Sequence, residues 1–397
     1  MVEIVSDRAD IENHVSRLVD LIKSNGGYVH DDLIVESENG NLALKAPRSV
    51  DEKSKLIFVP RDLLLPKSDF DLYLSGDDIC IGASANPVSS AQLATADEML
   101  AIYNLCEKIK IHRETAPVRL FIEAPETFEA LVLPNQFRTR KTLTVKDPIL
   151  DDFLHTRLFA AKAASGDETQ SVLMPIIDFL NHNRKAGGYQ MSAAGLLVNR
   201  HSPLADTDEC FVTYSRMDAQ TAFAIYGFVD ENSDIVTSIP LSIDLPGVGT
   251  IEVNRQHGTR SQANVPPALK NIAWLVPQMN ISQEHNQGRL GCLIIPPEGF
   301  PRSMRRILSF IIRPLAGSVS LEELNALVLE AERQVIKANL SYYDGVKNVA
   351  RKASVPQEVQ SIVDDAGRMA VIQLNLIRAY VAMMEQMDSA PAQIGGN

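Results

Sequence analysis

The spacing of apolar residues changes along this chain, and that change excludes any fold built from one kind of element. Near the start, Ile11, Val15, Leu18, Val19 and Ile22 recur at helical spacing, and Gly26-Gly27 follows where a helix would end. Four short runs come next: Tyr28-Val29, Leu33-Ile-Val35, Leu42-Ala-Leu44 and Leu56-Ile-Phe-Val59-Pro60, split by turn residues at Asn39-Gly40 and Ser49-Val-Asp51. They predict a core of small β-sheets. A helix is predicted between Thr95 and Ile111 on Met99, Leu100, Tyr103, Leu105 and Cys106, and helices are expected to dominate beyond Val253. Ser320-Leu-Glu-Glu323 has the pattern of a capping box, with Leu324, Leu327, Val328, Ala331 and Val335 on one stripe behind it. A second long helix is predicted from near Pro356, on Val359, Ile362, Val363, Ala366, Met369 and Ala370, before a frayed tail over Ser389 to Asn397. The fold class is therefore α+β, with small sheets first and helices last.

A chain of 397 residues holds two or three domains, each able to bury its own core. Hydrophobic residues at 45% and charged ones at 22% place it among globular rather than disordered chains. The net charge is -12 with no lysine-rich or arginine-rich run, so no nucleic-acid partner is expected. An acidic surface suits a basic protein substrate, and serves equally to keep a protein soluble. Cys80, Cys106, Cys210 and Cys292 are scattered with no Cys-x-x-Cys pair, which suggests neither a zinc site nor a disulfide framework and fits a reducing compartment. The N-terminus lacks a basic segment followed by an apolar one, and no apolar run approaches a membrane-spanning length. A cytoplasmic protein with no membrane partner is expected.

Chemistry concentrates between Ser171 and Asn232. Pro175-Ile-Ile-Asp178-Phe-Leu-Asn181-His182 sets an acid, an amide and an imidazole in quick succession. Tyr214 closes Glu209-Cys-Phe-Val-Thr-Tyr214, a turn running into a half-buried strand. Tyr226-Gly227-Phe228 follows a short apolar turn, Ala222-Phe-Ala-Ile225, that Asp218 is suited to cap. Taken singly, each has a bland reading, since a buried tyrosine usually packs and makes one hydrogen bond. Asp178 and His182, four apart, would share one helical face, with His155 as the nearest third ligand. Two ligands are too few for a metal, and such a pair is more often mutually satisfied, so no metal is expected. Gly247-Val-Gly249 lacks the third glycine and the following helix of a dinucleotide-binding turn.

In this order, and with Arg157-Leu-Phe159 upstream, these signals resemble the C-terminal half of a SET-domain methyltransferase, in the branch typified by the Rubisco large-subunit lysine methyltransferase. That pattern runs Pro-x-x-Asp-x-x-Asn-His, then a strand ending in tyrosine, then a short helix ending in Tyr-Gly-Phe-Val before an acidic residue and Asn. Tyr226-Gly-Phe-Val-Asp-Glu-Asn232 supplies the last part, and Val59-Pro60 fits the end of an early strand. The resemblance implies a SET-type fold of small β-sheets with a helical insertion and an all-helical substrate-binding domain. Residues 1–110 would hold the N-terminal helix and first half, 111–169 the insertion, 170–240 the second half with the motifs, and 250–390 the helical domain. A helix over Pro148 to Ala164 would carry Arg157.

The same resemblance implies S-adenosylmethionine as cofactor, held by Asn181 and the backbone of His182, with help from Arg157 and with Phe228 beside the adenine. Carbonyls near Arg157 and Asp178 would line a channel for the incoming amine. Gly40 and Leu42 stand where the family has a cofactor-cradling loop, although locally they read equally as an Asn-Gly hairpin turn with no ligand. Tyr214 matches the catalytic tyrosine, and Tyr226 would be its neighbour. The partner implied is a protein presenting a lysine. Asn183, Ser215 and Met217-Asp218-Ala219 depart from the family's Ser, Gly and Lys-Ser-Asn. A protein-histidine methyltransferase and a non-catalytic SET-like protein-binding module remain as alternatives.

Overall fold

The computed structural model describes residues 2–82, 86–133, 147–162, 169–201, 207–255 and 265–389. Contacts divide the chain into two units, Met1–Arg119 with Arg138–Arg216, and Leu120–Phe137 with Met217–Asn397.

The first unit opens with strand β1 (Glu3–Ser6) and helix α1 (Ala9–Ser24), whose buried face is Ile11, Val15, Leu18, Val19 and Ile22 as its spacing predicts. Each such fully buried side chain contributes about 1.5–3 kcal/mol. The four predicted strands follow as β2 (Tyr28–Val29), β3 (Ile34–Glu38), β4 (Asn41–Lys45) and β5 (Lys55–Pro60). Then come β6 (Leu65–Pro66) and a hairpin of β7 (Leu72–Ser75) and β8 (Asp78–Ile81). β3 pairs parallel with β1 and antiparallel with β4. The chirality of the β3–β4 turn is carried by Asn39 (φ 50°) and Gly40 (φ 77°), both left-handed, as a two-residue hairpin requires.

The helix predicted across Thr95 to Ile111 is two helices, α2 (Ser90–Leu105) and α3 (Lys108–Thr115). Glu107 is left-handed (φ 48°, ψ 34°) and breaks the run, which lets α3 turn away from α2. The chain passes into the second unit within α4 (Pro117–Glu123), stays there through α5 (Pro125–Leu131), and is back in the first unit at α6 (Pro148–His155). Asp147 caps α6 by accepting from the amides of Ile149 and Leu150. Arg157 does not lie on that helix. The helix stops at His155, and β9 (Leu158–Lys162) starts one residue after Arg157 to pair antiparallel with β10 (Thr169–Leu173). The remaining strands of this unit are β11 (Asn181–His182), β12 (Gln190–Met191), β13 (Gly195–Asn199) and β14 (Phe211–Val212). β5 lies between β2 and β13 in the second sheet, and β11 pairs parallel with β14.

The second unit contains helix α7 (Ala219–Tyr226) and strands β15 (Val236–Thr237), β16 (Leu241–Leu245) and β17 (Gly249–Val253). Contrary to the expectation of helices from Val253 onward, β18 (Met279–Ser282), β19 (Gln287–Leu290) and β20 (Ile294–Ile295) come next. They complete a four-stranded sheet in the order β16-β17-β19-β18 and a two-stranded β15-β20 pair. Only from Ser303 is the chain continuously helical, in α8 (Ser303–Ala316), α9 (Leu321–Lys352) and α10 (Gln357–Ser389). Ser320 and Glu323 form the predicted capping box of α9. Leu324, Val328, Ala331 and Val335 are buried along it, and all six predicted stripe residues of α10 are buried. The short link after Lys352 makes α9 and α10 a helical hairpin. The predicted frayed tail lies, beyond Ser389, outside the described residues. Among the described residues no helix is long and apolar enough to cross a membrane.

Candidate functional site

The pairing of β9 with β10 places Leu158 opposite Leu173, so Arg157 stands where the chain leaves β10. Beyond Met174 the chain reverses at Ile176, whose φ of 58° and ψ of -37° are costly for a β-branched residue. The amide of Ile177 donates to the carbonyl of Pro175 at 2.6 Å across this tight turn. A single 3-10 turn, Ile177–Phe179, follows and turns the Asp178 carboxylate onto Arg157, whose Nη1 donates to Oδ2 at 2.6 Å. The hydroxyl of Tyr103, on α2, donates to the same oxygen at 2.5 Å. The guanidinium lies 4.6 Å from the ring centroid of Phe153 and 5.3 Å from that of Tyr103.

Charge in this cluster is not balanced. Burial raises the Tyr103 phenol well above its usual range, and the Asp178 charge adds to it, so Tyr103 is a permanent donor. Burial alone would pull Arg157 down, but the Asp178 charge outweighs it and the guanidinium is held even more firmly protonated. Lys108, the first residue of α3, is pushed down to about 8 by burial and by the Arg157 charge. Among the described residues Arg157 alone pairs with the Asp178 carboxylate, and the Lys108 charge is opposed by that of Arg157. The Nε of Arg157 is buried and has no hydrogen-bond partner among the described residues.

Asn181 and His182 form β11, with Asn181 paired to Phe211 and His182 to Val212. Asp178 and His182 therefore do not share a helical face as a four-residue spacing would give, because a 3-10 turn and a strand lie between them. The register brings Tyr214, two residues past β14, onto His182. The Tyr214 amide donates to His182 Nδ1 at 3.1 Å, which puts the ring proton on Nε2, and the Tyr214 hydroxyl donates to the Leu180 carbonyl at 2.9 Å. The two rings lie 5.2 Å apart. Exposed Asn181 donates from Nδ2 to Glu209 Oε1 at 2.7 Å.

Two departures from the family pattern have local explanations in this unit. Asn183 Oδ1 accepts from the Lys185 amide at 2.9 Å, and Ser215 is exposed. At Gly40 a Cβ would come within 2.6 Å of the Cys106 carbonyl oxygen and 2.9 Å of Ile111 Cδ1, so packing and a left-handed turn each demand glycine there. Leu42 is buried in β4, a strand that packs on the Ile177–Phe179 turn. His155, the candidate third metal ligand, has Nδ1 2.7 Å from the Asp151 carbonyl oxygen. Among the described residues no group of three or more His, Cys, Asp or Glu side chains could hold a metal.

Tyr226 and Phe228 belong to the second unit. Tyr226 ends α7, Gly227 (φ 75°) caps it in the left-handed conformation, and the rings of Tyr226 and Phe228 lie 6.1 Å apart. Asp218 caps α7 as expected, accepting from the Thr221 amide at 2.8 Å. It does more than the sequence indicates, since fully buried Arg255 donates to both its oxygens at 2.8 and 2.7 Å, and the Thr237 amide donates to Oδ2. Tyr103, Phe153, Lys108 and Glu209 complete the first unit's cluster, although the sequence assigns none of them a role at the site. The one available signal was a hydroxyl inside the apolar stripe of α2, since a buried tyrosine hydroxyl needs a partner.

No protein-family model and no curated protein matches the chain. Among solved structures, the SET domain of LSMT bound to lysine and AdoHcy is similar over 95% of this chain and 93% of that one, at 12% identity and a TM-score of 0.42. The SET domain of LSMT bound to MeLysine and AdoHcy gives 13% identity over 97% of each chain, with a TM-score of 0.40. Rubisco LSMT bound to AdoMet gives 12% identity over 94% and 92%, with a TM-score of 0.41.

Proposed function

We propose that the chain is an S-adenosylmethionine-dependent protein methyltransferase of the SET type, acting on a lysine side chain. The observation that carries this reading is the convergence of His182 and Tyr214, far apart in sequence, through a ring nitrogen, a backbone amide and a hydroxyl pinned to a carbonyl. The cluster beside it fits an anionic group. A carboxylate such as the cofactor's amino-acid end would find a buried Nε donor on Arg157, with the Lys108 ammonium in the same electrostatic cluster.

S-adenosylmethionine, when bound, supplies a methyl group activated by an adjacent sulfonium. The protein's task is then mainly positioning. Arg157 orients the carboxylate, itself held by Asp178 and packed against Phe153. Tyr214 is held by its hydroxyl on the Leu180 carbonyl, and a phenol oxygen so placed can also accept a hydrogen bond from an incoming amine. An amine with a reference pKa near 10.4 costs roughly 4–5 kcal/mol to deprotonate at pH 7. Desolvation of the amine in the site, beside the cofactor's sulfonium, would lower that cost.

Calorimetric titration with S-adenosylmethionine tests the reading. Micromolar binding is expected, lost with Asn181→Ala and kept with Tyr214→Phe, which should instead slow transfer to a lysine peptide by about 100-fold. Phe228→Ala and Tyr226→Phe probe two further residues that the resemblance names. A rate that stays flat down to pH 7 would move the acceptor from lysine to histidine. No heat from the unmodified protein would leave a non-catalytic binding module.

A further inference from the structure

Helix α8 divides its residues sharply. Met304, Ile307, Leu308, Ile311 and Ile312 are buried, while Arg302 at its N-cap, Arg305, Arg306 and Arg313 line a groove of about 920 Å³ in the second unit. Leu269, Ile281, Phe310 and Leu329 give the groove an apolar surface, and none of its lining residues is acidic. The four arginines are not equivalent. Arg305 is spent inside the fold, since it donates to Glu332 at 2.8 Å and to both oxygens of Asp388 at 2.7 and 2.8 Å. Arg306 donates to a neutral acceptor, the Ala268 carbonyl. Among the described residues neither Arg302 nor Arg313 has a carboxylate within ion-pair distance, although Arg302 contributes a weak pull on Asp388.

Three guanidinium charges without a paired carboxylate around an apolar groove stand out in a chain of net charge -12. If the arginines served solubility they would not need to ring Phe310 and Leu329. We propose that this groove docks an acidic amphipathic segment of a partner protein, with its carboxylates on Arg302, Arg306 and Arg313 and its apolar side chains on Phe310, Ile281 and Leu329. Guanidinium pairs carboxylates in a two-point fork, and the apolar floor supplies the burial that exposed ion pairs lack. A concave apolar floor favours a peptide over the flat face that a lipid surface meets, and the overall negative charge opposes nucleic acid. The groove lies wholly within the second unit, so the inference stands or falls independently of the cofactor reading.

The experiment is fluorescence anisotropy of the full chain with a labelled peptide carrying Glu and Leu at helical spacing, beside a Lys-for-Glu version, phosphatidylserine vesicles and short single-stranded DNA. Saturable binding of the acidic peptide is expected, weakened by added salt and by about tenfold or more in the double variant Arg302→Glu/Arg313→Glu. Both side chains are exposed, so the fold should survive, as an unchanged melting curve would report. Ser309→Trp, which fills the groove without altering charge, should weaken binding as well. The inference is overturned if the acidic peptide fails to bind, if neither variant weakens it, or if the lysine peptide, the vesicles or the DNA bind more tightly.

Discussion

Burial is the main cost on the Lys108 ammonium, and the Arg157 charge adds to it, as does the partial positive charge of the α3 N-terminus at whose first position it stands. Its ammonium is therefore less favourable in the folded chain than in the unfolded one, and the pKa falls from 10.5 to about 8. The sign follows from linkage. Below pH 8 the lysine is charged in both states and the folded chain bears the full cost, whereas above pH 10.5 it is neutral in both and the cost is gone. Lys108→Met should therefore stabilise the protein at pH 7, by up to about 3 kcal/mol. The advantage should shrink as the pH rises from 8 to 10.5. Urea unfolding of both proteins at pH 7 and at pH 10.5 checks this, and an advantage of the same size at both would contradict it. If the proposed anion site is right, the same variant should bind S-adenosylmethionine more weakly while being more stable.

At the scale of elements, what was legible depended on how local the cause was. The α1 face, the β2–β5 runs and the α9 and α10 stripes follow from periodicity, which acts over a few residues, and all are present. The break at Glu107, the placement of Arg157 before β9 and the strands β18–β20 depend on partners distant in sequence, so local patterning could not reveal them. The site shows the same division. His182 and Tyr214 announced themselves by motif, but Tyr103 and Lys108 reach Arg157 only because α2 and α3 fold against it. Asp218 combines both cases, as a cap foreseeable from sequence and a buried partner of Arg255 that was not. Burial alone would raise its carboxyl, yet Arg255 and the Thr221 hydrogen bonds hold it below its usual range. Asp218→Ala removes the cap of α7 and strands a buried guanidinium, so a loss of about 3–5 kcal/mol is expected in urea unfolding. Asp218→Asn keeps a capping oxygen and should restore part of it. A loss under about 1 kcal/mol for the alanine variant would mean that Arg255 finds another acceptor.

At the scale of the whole molecule, each unit has a core of its own, with α1 and α2 in one and α8 to α10 in the other. Ligand binding and core damage can therefore be assigned to one unit or the other by hydrogen exchange along the chain. A ligand present at 100 times its dissociation constant stabilises the binding-competent state by about 2.7 kcal/mol, which slows exchange about 100-fold for amides released only by opening of that state. With S-adenosylhomocysteine added, protection is expected in the first unit around Lys108, Arg157, Ile177 to His182, and Tyr214. The acidic amphipathic peptide should instead protect Arg306 to Ile312 of α8 and leave Asn181 and His182 unchanged. Asp218→Ala should speed exchange in α7 and the strands near Arg255. Protection by the nucleoside confined to α8 would place the anion site among its arginines, because a carboxylate is the one feature that both ligands offer to a guanidinium. Arg157 and Lys108 would then be a structural cluster whose excess charge the fold tolerates.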